Sequence, residues 1–142
     1  MLEKLIKFQI VTPERIILEE DIRQVSVPTR DGEITVLPDH IPLVAGLLPG
    51  VVEIKTKNGQ NEIMAISGGF LEVLRDKVVI LADTAERGQE IDLARAEEAH
   101  QRAEELKEKA DRGQFAEISA KIEKELARTK AAKRWKKIKV NN

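Results

Sequence analysis

The sequence predicts an α+β chain in two parts: an N-terminal antiparallel β-sandwich or barrel, then a C-terminal antiparallel helical hairpin. Three observations lead there. Up to Ala82 the chain runs in short apolar–polar alternations punctuated by Gly and Pro, and all its prolines lie in that part. From Asp92 onward apolar residues recur instead at three- and four-residue steps. Between the two, Val78 to Ala96 (VVILADTAERGQEIDLARA) opens as a strand-type run and closes as the start of a charged, alanine-rich helix. The expected division is residues 1–87 for the sandwich and 88–142 for the hairpin.

Phe8 and Ile10 alternate with Lys7 and Gln9, and Thr12-Pro13-Glu14 turns that first strand. Ile16 to Leu18 makes a short return. Arg23, Val25 and Val27 alternate with Gln24 and Ser26 until Pro28 stops the run, and Arg30-Asp31-Gly32 is turn chemistry. Glu33 to Leu37 alternates again. The prolines of LPDHIPLVAGLLPG restrict a loop-rich passage that cannot stay helical. Val52 and Ile54 then oppose Ile63 to Ile66 across the hairpin signal Asn58-Gly59. Gly68-Gly69 breaks the next run, Phe70 to Leu74 continues it, and Arg75-Asp76 turns the chain into Lys77 to Ala82.

In the second part, Ala96, Ala99, Ala103, Leu106 and Ala110 form a narrow seam. Gly113 is the expected helix stop, and Phe115, Ile118, Ile122 and Leu126 form a second stripe. Two helices of about five turns with a short link make a hairpin. Because its first seam is nearly all alanine, it buries little area at ~25 cal/mol per Å² and should be able to change position.

Composition narrows the chemistry. The chain has 142 residues, no Cys, three Phe, one Trp and no Tyr, so its core is aliphatic and it holds no disulfide, thiolate nucleophile or cysteine metal site. Imidazole comes only from His40 and His100, which nothing in the sequence brings together. No apolar run reaches the ~18 residues of a membrane span, and the N-terminus reads as a first strand with no signal-peptide core. Ser26, Ser67 and Ser119 have no neighbouring base, and no Walker-type phosphate loop is present. The sequence therefore does not support enzymatic activity by this chain alone.

Charge is more informative. The formal net charge of -1 hides an acid-free segment after Glu125 that carries Arg128, Lys130, Lys133, Arg134, Lys136, Lys137 and Lys139. Such a segment suits a solvated helix end, a nucleic-acid patch, a membrane surface or an acidic protein surface, but no recognised nucleic-acid module accompanies it. Asp92 is a good N-cap, while Arg95 stands where a capping box would place Glu or Gln. Two readings of Arg95 stand: it leans outward to pair with Glu98 or Glu90, the favoured one, or a bound anion compensates it at the helix start. His40, in PDHIP, reads by itself as a surface loop group or a satisfied hydrogen-bonding partner.

Several co-linear segments, GEITVLPDHIPLV, LLPGVVEI, ISGGFLEV, VVILADTAERGQEID and ARAEEA, make the chain resemble the epsilon subunits of F-type ATP synthases. The resemblance covers nearly the whole chain and is weaker in the second helix and tail. It implies a ten-stranded sandwich and a mobile helical hairpin in the rotating central stalk. The implied partners are the gamma subunit, the c-ring and the catalytic alpha/beta head, with no nucleic acid and no direct membrane span. The implied location is peripheral, at the cytoplasmic face of the bacterial cell membrane. The implied role is to couple head to ring, with a hairpin that inhibits ATP hydrolysis and a subunit that is not catalytic on its own. Glu33 and His40 correspond to residues on the ring-facing side. The inhibitory tail would be Arg128, Lys130, Lys133, Arg134, Lys136 and Lys137.

No cofactor is required by the resemblance, but some bacterial members bind ATP, with magnesium, as a regulatory ligand through a motif of the form (I/L)DxxRA. Ile91-Asp92-Leu93-Ala94-Arg95-Ala96 fits that motif, and Glu86 and Arg102 stand where such members place ligand contacts. On the second helix the family uses two arginines, and the aligned positions carry Lys124 and Arg128. A lysine keeps the charge but loses the planar fork. The alternatives are a free-standing ATP-sensing module of the same fold and a basic-tailed adaptor.

Overall fold

A computed structural model describes residues 3–141. Nine strands among the described residues carry the first part: β1 (Ile6–Val11), β2 (Ile16–Thr29), β3 (Gly32–Val36), β4 (Leu43–Leu47), β5 (Gly50–Thr56), β6 (Asn61–Ile66), β7 (Gly69–Val73), β8 (Val78–Ala82) and β9 (Ala85–Arg87). A 3-10 turn (Gly88–Glu90) leads into α1 (Leu93–Lys109) and α2 (Arg112–Asn141). About ten strands were expected from the resemblance; the return at Ile16 and the alternation at Arg23 are one strand, while β4 and β9 lie where the alternation marked none.

That strand, β2, organises the sandwich. Its first half pairs with β1, from Ile10 opposite Leu18 to Ile6 opposite Ile22. Its second half pairs with β5 and β3, Val25 lying opposite both Ile54 and Val36. A register shift between Ile22 and Gln24 marks the change of partner, as a bulge does when a strand bends from one layer to the other. Pro28 does not stop the run. The β5 ladder ends at Ser26, and the Pro28 carbonyl accepts from the Leu48 N–H at 2.9 Å, so its nitrogen faces a side without a ladder partner.

One layer continues through β1, β8, β7 and β4, the other through β2, β5, β6 and β9 with β3 at the side. Pairing is antiparallel except between β1 and β8, which run parallel. The passage from Leu37 to Gly50, where prolines excluded a long helix, contains β4, which pairs with β7. Between the layers lie Phe8, Ile10, Ile22, Val25, Ile54, Met64, Leu71 and Ile80, all fully buried. Gly69 permits the tight joint at β7: its φ is 139° and a Cβ there would stand 2.0 Å from the Leu81 carbonyl oxygen.

Strand β6 breaks alternation. Ile63, Met64, Ala65 and Ile66 are buried in sequence, because Met64 and Ile66 face the sandwich core while Ile63 and Ala65 face the helices. A strand covered on both faces carries a continuous apolar run. That run positions the hairpin.

The helical stop falls earlier than Gly113. Helix α1 ends at Lys109, and Asp111 caps α2 by accepting from the Gln114 N–H at 3.0 Å. Aspartate is a strong cap, and Gly113 is simply carried inside the first turn. Helix α2 then runs for 30 residues, about eight turns, absorbing the whole basic tail. Burial on α1 falls on Ala96 and Ala103, whereas Leu106 is exposed. On α2 it falls on Ile122, Glu125, Ala127, Thr129, Ala131 and Ala132, and Phe115 and Leu126 remain exposed. The hairpin lies folded against the outer face of β5 and β6.

Candidate functional site

The (I/L)DxxRA segment divides cleanly between packing and polar roles. Ile91 and Ala96 are buried in a cluster with Ile63, Ala65, Ala131 and Ala132. Asp92 caps α1, its Oδ1 accepting from the Arg95 N–H at 3.2 Å. The Arg95 side chain is 85% exposed and its Nε lies 3.6 Å from Asp92 Oδ2. Arg95 thus leans outward as favoured, but its partner is Asp92, neither Glu98 nor Glu90. The cap carboxylate is nearest because it sits one turn behind and already faces the helix start.

The second polar centre joins β9 to α2. Arg128 donates from Nε to Glu86 Oε2 at 2.6 Å and from Nη1 to Glu125 Oε2 at 2.8 Å. Burial alone would lower the Arg128 guanidinium, but hydrogen bonds and charge from Glu86 and Glu125 outweigh it and hold it above its ordinary value. Glu125 is almost wholly buried, and the Thr129 hydroxyl donates to its backbone carbonyl at 2.9 Å. Beside this centre Arg87 pairs with Glu62. Arg128 is therefore a clamp between the sandwich edge and the hairpin.

The structure brings Glu86 to Arg128 and Asp92 to Arg95. Among the described residues no ion pair links one set to the other. Arg102 is exposed on α1 and Lys124 half-buried on α2. Sequence reasoning missed Glu125, although its three-residue step to Arg128 is a legible helical pair. It also missed Gly88 as a contact. A Cβ at Gly88 would lie 2.9 Å from the Ala131 carbonyl oxygen and 3.3 Å from Trp135 Cβ, so only glycine lets the 3-10 turn seat against α2.

The basic tail is laid along the molecule rather than free of it. Lys133 pairs with Glu97 of α1 at 3.5 Å, and Arg134 with Glu53 of β5 at 3.2 Å. Lys130, Lys136 and Lys137 are exposed. Trp135 is half-buried, and Ile138 packs on the alanine cluster.

Glu33 and His40 fall near opposite ends of β3. Glu33 is exposed beside the turn that precedes it. His40 is half-buried after the strand, its Nδ1 lying 2.7 Å from the Ile41 carbonyl oxygen. Next to it Asp39 takes a φ of 66° and bonds Lys4 at 2.6 Å, which holds the Lys4 ammonium above its usual value. His40, Lys4 and Arg75 border a cavity of about 340 Å³.

Chemically, these arrangements offer charge and movable contacts. Around the start of α1 and the clamp, Arg95, Arg102, Lys124 and Arg128 are the cations that could hold a phosphate chain; Arg128 donates from Nε to Glu86 and from Nη1 to Glu125 and has three further N–H groups. Among the described residues no group of three or more His, Asp or Glu is placed to hold a metal ion.

Comparison with known proteins agrees with this geometry. Residues 5–88 match the beta-sandwich domain of the ATP synthase delta/epsilon chain. The ATP synthase epsilon chain of Chloroflexus aggregans is 53% identical over 98 residues, 69% of this chain and 70% of the relative. That of Dehalococcoides mccartyi (strain BAV1) is 44% identical over 135 residues, 93% of this chain and 95% of the relative. In the mitochondrial ATP synthase of Euglena gracilis, solved as an OSCP/F1/c-ring assembly, one chain superposes with a TM-score of 0.78 at 26% identity. The overlap covers 87% of this chain and 78% of that one.

Proposed function

The chain belongs to the ATP synthase epsilon family, and from that premise we propose that it couples the catalytic head to the c-ring while its hairpin restrains ATP hydrolysis. The sandwich is the coupling body, bound to the gamma subunit, with Glu33 and His40 toward the ring. The complex places it peripherally, at the cytoplasmic face of a bacterial membrane. No helix among the described residues is long and apolar enough to cross a membrane.

One observation carries the regulatory reading. The hairpin is held to the sandwich by a cluster rich in alanine, the Arg128 clamp and one surface ion pair, Arg134 to Glu53. A contact of small apolar area and exposed charge separates without unfolding either part. When it separates, Arg128 loses Glu86 and Arg134 loses Glu53, and both become available, with Lys130, Lys133, Lys136 and Lys137, to an acidic surface on the head.

ATP, with magnesium, is the proposed regulatory ligand. Ile91 and Ala96 seat the start of α1, Asp92 orders it, and Arg95 and Arg102 face solvent where a triphosphate can reach them. Arg128, through the N–H groups not used on Glu86 and Glu125, and Lys124 one turn before it, would complete the site. Bound nucleotide would then hold α1 and α2 together and keep the hairpin folded.

The test is the ATPase rate of the reconstituted complex carrying full-length subunit, subunit lacking residues 89–142, or subunit with Lys133, Arg134, Lys136 and Lys137 neutralised. Hydrolysis rises with truncation and rises in part with neutralisation, while gamma binding persists. Equal rates in all three overturn the restraint. For the ligand, calorimetry of the full chain shows saturable heat with MgATP and about tenfold weaker binding in Arg95→Ala, the loss of one charge-assisted contact; no heat removes ATP from the reading.

A further inference from the structure

The groove between α2 and the sandwich lies on the opposite side of α2 from the Arg128 clamp. Two adjoining cavities, of about 440 and 140 Å³, share Pro49, Gly50 and Lys130 as lining. The larger is bordered by Lys130, Lys133 and Arg134 from the helix and by Glu33 from β3. The smaller is bordered by Leu48, Leu126 and Ala127, with Glu123 at its side. One end therefore carries three cations against one carboxylate, and the other end is largely apolar.

Helical spacing explains why the cations converge. Positions 130, 133 and 134 are three and four residues apart, so they project from one face, and no acidic residue follows Glu125 to break it. Glu97 and Glu53 engage Lys133 and Arg134 only at 3.5 and 3.2 Å, in half-exposed pairs. An ammonium has three donors and a guanidinium five, so both keep N–H groups for another acceptor. The floor is Pro28 against Gly50, where a Cβ would meet the proline ring at 3.0 Å. Beyond it, Leu48 and Leu126 stay 45% and 39% exposed. A solvated charge run explains the lysines alone; it leaves two exposed leucines in the same groove without a role.

We propose that this groove binds a phosphate ester whose apolar moiety lies against Leu48 and Leu126. Lys130, Lys133 and Arg134 take the phosphate oxygens, which suit the diffuse, multidentate donors of this set. The apolar moiety covers the leucines. Arg95 and Arg102 are outside the groove lining, so the proposal does not rest on ATP binding at the start of α1. The shared chemistry belongs equally to a soluble phosphate ester and to an anionic lipid headgroup.

The experiment uses the full chain, with backbone and side-chain NMR shifts recorded during titration with monomeric dihexanoyl phosphatidic acid and, separately, inorganic phosphate. Saturable shifts centred on Gly50, Val51, Lys130 and Arg134 are expected, with the amphiphile binding more tightly than phosphate. Lys130→Gln with Arg134→Gln should weaken both by about tenfold or more. Leu126→Ser should weaken the amphiphile and leave phosphate unchanged. Co-sedimentation with phosphatidylglycerol vesicles, against phosphatidylcholine vesicles, separates the sources: capture by the former assigns the site to a lipid headgroup, and its failure assigns it to a soluble ester. Shifts that map instead to Arg95 and Arg102, an absence of saturation, or equal binding by the doubly neutralised chain overturn the proposal.

Discussion

The sandwich and the hairpin bury different kinds of surface. Between the sheet layers lie Phe8, Ile10, Ile22, Leu71 and Ile80, large side chains fully removed from water and locked by a continuous strand ladder. Between hairpin and sandwich lie Ala96, Ala131 and Ala132, with Ile63, Ala65 and Ile91 as the larger members. Ion pairs fill in where apolar area runs short: Arg128 to Glu86 and Arg134 to Glu53 cross the contact, and Lys133 to Glu97 ties α2 to α1. Apolar burial is indifferent to ionic strength, whereas exposed charge pairs are screened within ~8 Å at physiological salt. The difference separates a body packed by large apolar side chains from an arm docked by small residues and charge.

The comparison breaks most violently in the core. Ile80→Ala removes a fully buried branched side chain from the middle of β8 and should cost about 2–5 kcal/mol. Denaturant unfolding followed by far-ultraviolet circular dichroism measures it. A loss as small as that from a hairpin alanine would mean that the two regions are not differently built.

Next in size is the joint. Gly88→Val drives a branched side chain against the Ala131 carbonyl and Trp135, so α2 must lift while the sandwich is spared. Trp135 is the chain's single tryptophan and is half-buried at that contact, which makes its emission a direct reporter. The expected result is a red shift with an unchanged sandwich transition. Emission that stays put would show that the 3-10 turn yields instead of the helix.

How much of this was legible depended on range. Alternation at Phe8–Ile10 and Val52–Ile54, turn chemistry at Arg30-Asp31-Gly32, and the cap at Asp92 are local signals, and each stands where the sequence put it. The union of two segments into β2 was hidden by Glu19-Glu20-Asp21, three acidic residues that interrupt the alternation between them, and its extension past Pro28 was hidden because proline stops a strand only when its nitrogen faces a partner, and partners are a property of the sheet. The helix stop was misplaced by two neighbours competing for it: Asp111 as cap outranked Gly113 as breaker. Burial at Ala131 and Ala132 follows from β6 presenting Ile63 and Ala65 to them, a contact between strand and helix that the spacing of apolar residues along α2 does not reveal. The Glu86–Arg128 contact spans 42 positions and has no local trace. Glu33 and His40 entered through resemblance, and their exposure neither requires nor forbids a ring contact.

The clamp itself gives the third effect. Arg128→Ala strands Glu125, whose residue is nearly buried, and frees Glu86 from the hairpin. Leaving such a group without its partner costs about 1–3 kcal/mol of docking free energy. Increased trypsin cleavage within residues 89–142, with the sandwich transition intact, is the readout. The pH sense follows from the raised arginine value: a cation held above its unfolded value contributes below that value and loses its contribution only as pH rises through the folded one. Docking should therefore be level between about pH 7 and pH 10, where arginine stays charged.

The smallest effect belongs to the outer pairs, and it sharpens the comparison most. Lys133 and Glu97 are 61% and 53% exposed, and Arg134 and Glu53 are 48% and 34% exposed. Pairs of that exposure contribute about 0–1 kcal/mol each, because water already solvates both charges well and holding two long side chains costs entropy. Arg134→Gln, which removes the pair to β5, with Lys133→Gln, which removes the pair between α2 and α1, should therefore leave Trp135 emission almost unchanged at physiological salt and only slightly raise protease sensitivity. At low ionic strength the intact chain should dock measurably better than the variant, and added salt should erase that gap. The deficit of Arg128→Ala relative to the intact chain should persist as salt is added, because the pairs it loses are partly withdrawn from solvent. A salt titration of Trp135 emission in the three chains decides the matter. If the doubly substituted chain undocks as fully as Arg128→Ala, the outer pairs and not the clamp hold the hairpin, and its position is governed by ionic strength before any ligand acts.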